Sequence, residues 1–265
     1  MKQIHLQNEM QNDSRVSEAF KTLRTNLQFS GVDKKVIMIT SCMQSDGKTT
    51  ISFEIANSFA QDGRRVLLLD TDLRKSVMST RLLGEEYRIG TTNVLSETHT
   101  FEDCVCHTQY PNLDILFAGS IPPNPVELLG SKSFENLVAF CREQYDIVIV
   151  DTPPLGAVIE AAVVAKVCDG AVLVISANTV RRHFAIGVLE QLKKSGCPIL
   201  GTVLNRVTIH SSRFYKGYYY RYGKYYKRYY RYGYGSGEYS YGYSSYDKDT
   251  PKKKSFFKGF FKFKK

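Results

Sequence analysis

A segment of the kind that forms phosphate-binding loops follows an apolar run near the start of the chain. Residues 45–50 read Ser-Asp-Gly-Lys-Thr-Thr and come shortly after the apolar residues 36–39. A loop of this kind binds phosphate through backbone N–H groups, with Lys48 reaching the β- and γ-phosphates and the Thr49 hydroxyl binding Mg²⁺. The strict pattern G-x-x-x-x-G-K-[ST] is not met, because Cys42 occupies its first glycine position. A chance Gly-Lys-Thr at a turn therefore remains an alternative for this segment taken alone.

Two further apolar runs end in aspartates. Residues 66–74 read Val-Leu-Leu-Leu-Asp-Thr-Asp-Leu-Arg and contain Asp70 and Asp72, while residues 147–154 read Ile-Val-Ile-Val-Asp-Thr-Pro-Pro and contain Asp151. A carboxylate directly after a buried strand can hold Mg²⁺ or orient its water shell. Taken singly, Asp70 or Asp151 could instead cap the following turn. The three segments together indicate phosphoryl chemistry.

The elements that position these residues follow from the alternation of apolar runs with helical patterns. This alternation predicts βαβ units and a doubly wound, mostly parallel α/β sheet covered on both faces. Open sheets of this kind bind ligands at the carboxyl ends of their strands, which is where the three segments lie. The predicted strands are residues 36–39, 66–69, 113–117, 147–150, 171–176 and 199–204. The predicted helices are residues 17–29 (behind a serine N-cap), 49–61, 133–143, 160–167 and 181–195.

The formal net charge of +10 belongs to the end of the chain. Residues 207–265 carry 15 lysines and arginines against 3 acidic residues, whereas residues 1–206 carry 21 basic and 23 acidic residues. We therefore predict one α/β domain at residues 1–206, followed by a basic tail. No apolar run is long enough to span a membrane, and the first residues lack the apolar core of a signal peptide. The six cysteines form no C-x-x-C pair and are typical of a reduced, cytosolic protein.

Most of the tyrosines lie in the tail. Between residues 215 and 246 there are 15 of the 18 tyrosines, mixed with Gly, Lys, Arg and Ser and without Ile, Leu or Val. Such a segment cannot bury enough apolar surface to offset its ordering entropy, so we predict a disordered tyrosine cluster at residues 207–246. Residues 247–265 form a separate basic-aromatic tail. Tyrosine with arginine and glycine also suits an RNA-binding or phase-separating segment, through stacking and cation–π contacts.

Four segments match the motifs of one family: Walker A at residues 42–49, Walker A′ at residues 66–74, Walker B at residues 148–153, and the tyrosine cluster. Residues 119–129, Gly-Ser-Ile-Pro-Pro-Asn-Pro-Val-Glu-Leu-Leu, are a further stretch characteristic of it. Through these segments the chain resembles the bacterial tyrosine kinases of capsular and exopolysaccharide operons (CpsD/CapB type). The related MinD/ParA ATPases share the three nucleotide motifs but lack this stretch and the tail. The resemblance implies a P-loop NTPase fold of the MinD/ParA type.

The resemblance also implies ATP and Mg²⁺ as cofactors and assigns roles to residues of the motifs. Asp70 would take the tyrosine proton, and Asn205 matches the position whose side chain reads adenine in relatives. The implied catalytic residues are Lys48, Asp70, Asp72 and Asp151. The implied ATP-binding residues are Ser45, Asp46, Gly47, Lys48, Thr49, Thr50, Asn205 and Arg206. The implied Mg²⁺ ligands are Thr49, Asp72 and Asp151.

Glu18, Lys21 and Arg24 match a helical E-x-x-R-x-x-R motif that joins subunits of the family into a ring. Lys21 replaces the middle arginine, and an ammonium is a point charge rather than a two-pronged donor. Ser45 stands where relatives usually have a phosphate-loop glycine, and a serine forced to positive φ would cost roughly 1 kcal/mol. Ser76 replaces a common proline.

The tail tyrosines are the implied substrates, so the implied function is autophosphorylation, and we predict that one subunit phosphorylates the tail of another. The resemblance implies that this reaction regulates polysaccharide biosynthesis and export. The implied partners are a membrane-anchored adaptor, further copies of the chain and a cognate tyrosine phosphatase; no nucleic acid is expected. The charge of the tail, independently of the resemblance, suggests an anionic membrane surface as a further partner, with a solvated basic tail that has no target as the alternative. The implied location is the cytoplasm, at the inner face of the cell membrane. The alternative function is a MinD/ParA-type positioning ATPase that uses a basic tail on membrane or DNA. The phosphoacceptor tyrosines are Tyr215, Tyr218, Tyr219, Tyr220, Tyr222, Tyr225, Tyr226, Tyr229, Tyr230, Tyr232, Tyr234, Tyr239, Tyr241, Tyr243 and Tyr246.

Overall fold

The computed structural model describes residues 2–7, 14–31 and 33–207. The strands are β1 Lys2–Gln3, β2 Val36–Ser41, β3 Val66–Asp70, β4 Cys106–His107, β5 Leu113–Leu116, β6 Ile147–Asp151, β7 Gly170–Ser176 and β8 Ile199–Asn205. The helices are α1 Ser14–Phe29, α2 Lys48–Gln61, α3 Met78–Leu83, α4 Thr91–Leu95, α5 Phe101–Cys104, α6 Pro125–Leu129, α7 Lys132–Gln144, α8 Glu160–Val164 and α9 Arg182–Lys194. A short 3₁₀ helix, Ala165–Val167, follows α8.

The eight strands form one sheet in the order β1-β4-β5-β3-β6-β2-β7-β8. Neighbouring strands run parallel except β4 and β5, which are antiparallel. The predicted doubly wound, mostly parallel sheet is therefore confirmed. Within the described residues, no helix combines the length and the apolar character needed to cross a membrane.

The central strands are apolar throughout because both faces of the sheet are covered. In β2, Val36 and Met38 belong to one apolar cluster, while Ile37 and Ile39 belong to the cluster on the opposite face. Successive side chains of a strand point to opposite faces, so a strand buried on both sides shows a continuous apolar run rather than an alternating one. Helix α7 contributes to the first cluster and α2 to the second.

The predicted strands and long helices are present, with ends shifted by one residue or a few. Two helix ends differ in kind from the prediction. The predicted serine N-cap at residue 17 is wrong, because α1 already begins at Ser14. The predicted helix at residues 160–167 becomes α8 followed by the 3₁₀ helix. The sequence also gave no signal for β1 and β4, which have two residues each and cannot display a period. The predicted domain limits at residues 206 and 246 stay predictions, since residues 208–265 lie outside the described part of the chain.

The strand order places the three predicted phosphate and metal segments side by side. β6 lies between β3 and β2, and all three run parallel. Their carboxyl ends therefore meet at one edge of the sheet. There Asp70 and Asp151 are register partners, and the Thr71 N–H donates to the Asp151 carbonyl oxygen over 2.8 Å.

Candidate active site

The phosphate-binding loop connects β2 to α2 with two residues at positive φ. Gly47 has φ 91°, and a Cβ at this position would lie 2.1 Å from the Asn205 Nδ2 atom, so no larger residue fits. Ser45 has φ 63°, the positive value expected at a position where relatives usually have glycine. The first turn of α2 receives no side-chain cap. Its N–H groups and the positive end of the helix dipole are therefore suited to an anion.

Asp46 holds this loop in shape. Its carboxylate is almost fully buried and accepts the Met43 N–H over 2.8 Å, and its carbonyl oxygen accepts from Asn205 Nδ2 over 2.8 Å. Burial raises the pKa of the Asp46 carboxyl. The Asn205 Oδ1 atom accepts the N–H of Arg206, so both ends of this amide are engaged within the chain. In this structure Asn205 links the end of β8 to the loop, while adenine recognition by Asn205 stays a prediction.

The Asp151 carboxylate is the meeting point of the loop and the sheet. Lys48 Nζ lies 2.8 Å from Asp151 Oδ1, and the Thr49 hydroxyl donates to Asp151 Oδ2 over 2.8 Å. The Ser52 hydroxyl donates to Asp151 Oδ1 over 2.8 Å. Sequence reasoning missed Ser52, although its position four residues after Lys48 places both on one face of α2. Lys48, Thr49 and Asp151 are thus brought together as predicted.

Asp70 and Asp72 lie at the end of the neighbouring strand in different surroundings. Asp70 is fully buried and accepts the Asp72 N–H over 3.0 Å and the Ser76 hydroxyl. Burial, with the adjacent Asp151 charge, raises the pKa of Asp70 to about 7. Asp72 is half-buried and lines the open cleft beside the loop, and burial raises its pKa as well. Asp72 is thus the acid that a molecule in the cleft meets first, and the role of Asp70 as base stays a prediction.

The chemistry of these donors suits Mg²⁺. A hydroxyl and carboxylates are the oxygen ligands that Mg²⁺ takes, and Thr49, Asp72 and Asp151 offer both kinds beside the loop. Among the residues that the structure describes, no three acidic, His or Cys side chains are close enough to enclose an ion by themselves. That also fits Mg²⁺, which keeps several waters and is usually bound by one or two carboxylates plus substrate phosphates.

Two of the remaining predicted ATP-binding residues lie at the margin of the loop. Thr50 is exposed, and its hydroxyl accepts from Arg81 Nη1 over 2.9 Å. Arg206 is exposed at φ 57°, directly after the last strand.

The predicted subunit-contact residues divide into two kinds. Glu18 and Lys21 are exposed on α1. Arg24 instead donates to the Ser58 carbonyl oxygen over 2.7 Å and pairs with Asp62 at 3.1 Å, which fastens α1 to the end of α2. An Arg24 contact to another subunit would have to share or replace these bonds. All fifteen predicted phosphoacceptor tyrosines lie outside the described residues.

The chain is similar to proteins of known activity. Residues 34–195 match the family described as AAA domain. The tyrosine-protein kinase CpsD of Streptococcus agalactiae is 39% identical over 210 residues, which cover 79% of this chain and 91% of that protein. The tyrosine-protein kinase YwqD of Bacillus subtilis (strain 168) is 40% identical over 205 residues, which cover 76% and 86%.

Solved structures match the chain to different degrees. The chimerical protein CapA2B2 has a TM-score of 0.71 at 31% identity, covering 78% of this chain and 94% of that chain. The septum site-determining protein MinD from Pyrococcus horikoshii, complexed with Mg-ADP, has a TM-score of 0.57 at 27% identity, covering 68% and 72%. MinD is therefore a more distant fold relative. By motif, site geometry and similarity over most of its length, the chain belongs to the bacterial tyrosine-protein kinase family that includes CpsD and YwqD.

Proposed function

We propose that this kinase transfers the γ-phosphoryl group of ATP to tyrosines of its own C-terminal tail and thereby regulates the biosynthesis and export of a capsular or extracellular polysaccharide. The observation that carries the proposal is the meeting of Lys48, Thr49 and Asp151 beside Asp70 and Asp72, in a chain that also holds a cluster of 15 tyrosines. The proposed domains are the kinase domain at residues 1–206, the tyrosine cluster at 207–246 and the basic-aromatic tail at 247–265.

The proposed nucleotide site uses the contacts of the loop. Backbone N–H groups at the start of α2 bind the phosphates, and Lys48 neutralises part of their charge. Thr49, Asp72 and Asp151 are the residues that would hold Mg²⁺, which supplies further charge neutralisation to the phosphates when bound. The Lys48 ammonium lies 2.8 Å from Asp151, and this ion pair holds it at the end of the loop.

The proposed reaction is a direct displacement. The tyrosine Oη attacks the γ-phosphorus, the bond from that phosphorus to the β,γ-bridging oxygen breaks, and ADP leaves with the bond's electron pair. The tyrosine proton passes to a carboxylate, for which we propose Asp70, and from there to solvent. A tyrosine hydroxyl has a pKa of about 10, so it needs such an acceptor near neutral pH. The raised pKa of Asp70, caused by burial and by Asp151, suits it to hold that proton.

The tail is the proposed acceptor, in another subunit. Tyr215 follows Asn205 by 10 residues, a distance of at most ~36 Å when fully extended. We propose that subunits assemble in a ring through α1, with Glu18 and Lys21 exposed for that contact. A tail that leaves the end of β8 could then reach a neighbour's site.

The remaining proposed partners follow from the relatives. The chain is similar to the chimerical protein CapA2B2 and to tyrosine-protein kinases, and we propose that it works with a membrane-anchored adaptor that activates it. A cognate tyrosine phosphatase would reverse the modification. The proposed location is the cytoplasm, at the inner face of the cell membrane through the adaptor.

Replacing Asn205 by alanine should weaken MgADP binding about 2- to 10-fold, because one hydrogen bond to the loop contributes about 0.5–1.5 kcal/mol. Isothermal titration with MgADP and MgGDP measures the effect, and Asn136→Ala on the exposed face of α7 is the matched control. An equal loss for both nucleotides assigns Asn205 to the loop alone. A larger loss for MgADP than for MgGDP assigns it to adenine as well, a loss confined to MgADP assigns it to adenine instead of the loop, and no loss at all would contradict both roles.

Incubation of the purified chain with MgATP, with and without an adaptor's cytoplasmic peptide, should produce phosphotyrosine on the tail. Lys48→Met should lower the signal at least about 100-fold, since it removes a charge aimed at the transferred group. A chain ending before Tyr215 should also give no signal. Antibody detection and peptide mass spectrometry provide the readout. ATP hydrolysis without any phosphotyrosine, even with the adaptor peptide, would favour the positioning ATPase.

Mixing full-length Lys48→Met with an active chain that lacks the tail distinguishes transfer between subunits from transfer within one. The inactive chain should gain phosphate on its tail, because the active partner supplies the site. The same mixture with a tail-less Lys48→Met chain is the control. An inactive chain that stays free of phosphate would refute transfer between subunits.

We also propose that the tail binds an anionic membrane surface until it is phosphorylated. Each phosphotyrosine adds roughly −1.5 to −2 charges, so about six to eight would cancel the tail's excess of basic residues. A basic segment gains ~1 kcal/mol per Lys or Arg near an anionic leaflet. Vesicles containing phosphatidylglycerol should bind the unmodified chain and release the phosphorylated one, whereas neutral vesicles bind neither. Equal vesicle binding before and after phosphorylation would rule out this switch.

A further inference from the structure

A further buried carboxylate lies next to the proposed active site and has no part in the mechanism above. Glu160 is the first residue of α8 and is only 1% exposed. Its Oε1 atom accepts from Arg74 Nε, while within the described part of the chain its Oε2 atom has no hydrogen-bond partner. Burying a carboxylate with a single partner is costly. Because the fold contains the Arg74–Glu160 contact despite this cost, the contact indicates that the position of Arg74 has a function.

The held arginine faces the cleft. The Arg74 side chain is 51% exposed although its Nε is fixed to a buried oxygen. A guanidinium carries five N–H donors, so one bond to Glu160 leaves the terminal N–H groups for another acceptor. Arg74 lines the open cleft beside the phosphate-binding loop, and it also lines an adjoining groove that extends to Ser120 and Ile121. It therefore stands in the wall between the place of the phosphates and the groove next to it.

The charges around Arg74 indicate which acceptor its terminal N–H groups would bind. The Lys48 ammonium is already paired with Asp151, while Asp70 and Asp72 add negative charge. The phosphoryl group in transfer brings more negative charge, which a fixed cation in the wall of the cleft would stabilise. The proposed acceptor segment is rich in Lys and Arg and would be repelled by a guanidinium rather than attracted. A phosphate oxygen matches the planar, multidentate donor set of arginine.

We infer that Glu160 is a positioning residue for phosphoryl transfer: it fixes Arg74 so that the guanidinium binds the phosphoryl group passing from ATP to tyrosine. The inference rests on the proposed function and deepens it, because it gives a role to Arg74, the last residue of the Walker A′ segment, and to the carboxylate that holds it. In this account Glu160 never touches the substrate and acts only through Arg74.

The test is a double-mutant cycle on the full chain with Glu160→Gln, Arg74→Ala and both changes together. Glutamine keeps the shape of the side chain but removes the charge that holds the guanidinium. Glu160→Gln should lower the rate of autophosphorylation about 10- to 100-fold, as misplacing a group by 1 Å does, with KM for ATP within about twofold of the wild type. In the Arg74→Ala background Glu160→Gln should have no further effect.

Glu135→Gln is the matched control, because Glu135 pairs with Lys132 at 2.8 Å on the exposed face of α7. It should leave the rate unchanged. Thermal unfolding and MgADP binding verify that each variant is folded. Should Glu160→Gln fail to fold, Arg74→Lys keeps the charge without the Nε–H bond and should show a similar loss of rate at unchanged KM.

Two results would overturn the inference alone: a Glu160→Gln chain as active as the wild type, or equal losses from Glu160→Gln with and without Arg74. The second would mean that Glu160 acts independently of the arginine. A wild-type chain that never forms phosphotyrosine would instead overturn the proposed function, and this inference with it.

Discussion

The active-site architecture depends on one buried carboxylate that receives three contacts from one helix. Asp151, at the end of β6, binds the Lys48 ammonium and the hydroxyls of Thr49 and Ser52, all from the first two turns of α2. A buried charge is tolerated only when paired and hydrogen-bonded. These contacts fix the start of α2 against the end of a central strand. The loop before the helix is then held from the other side by Asn205, which binds the Asp46 carbonyl oxygen.

The neighbouring strand places like charges against this pair. Asp70 is the register partner of Asp151, and Asp72 follows two residues later. Burial and the Asp151 charge together raise the pKa of Asp70 to about 7. Neighbouring carboxylates repel one another, and a bound cation compensates this repulsion. The same feature therefore suits the site to a metal–nucleotide complex and to holding a proton.

The sequence predicts those elements whose formation depends on the residues within a short stretch of the chain. The central strands could be predicted because burial on both faces leaves a continuous apolar run, as in β2. The positive φ of Ser45 was expected only through the resemblance, because relatives usually have a glycine at that position. The short strands β1 and β4 could not be predicted, since two residues show no period. Side-chain pairs between distant segments, Arg24 with Asp62 and Arg74 with Glu160, depend on how helices pack and leave no trace in spacing.

The central claim is that three strand ends build a single magnesium–nucleotide site. A crystal structure of the full chain with MgADP tests it most directly, because it would locate the nucleotide and the ion relative to these residues. The account predicts the β-phosphate against Lys48 and the N–H groups at the start of α2, with Mg²⁺ bound by Thr49 and close to Asp72 and Asp151. A nucleotide bound elsewhere, or Mg²⁺ placed away from Thr49 and these aspartates, would contradict it.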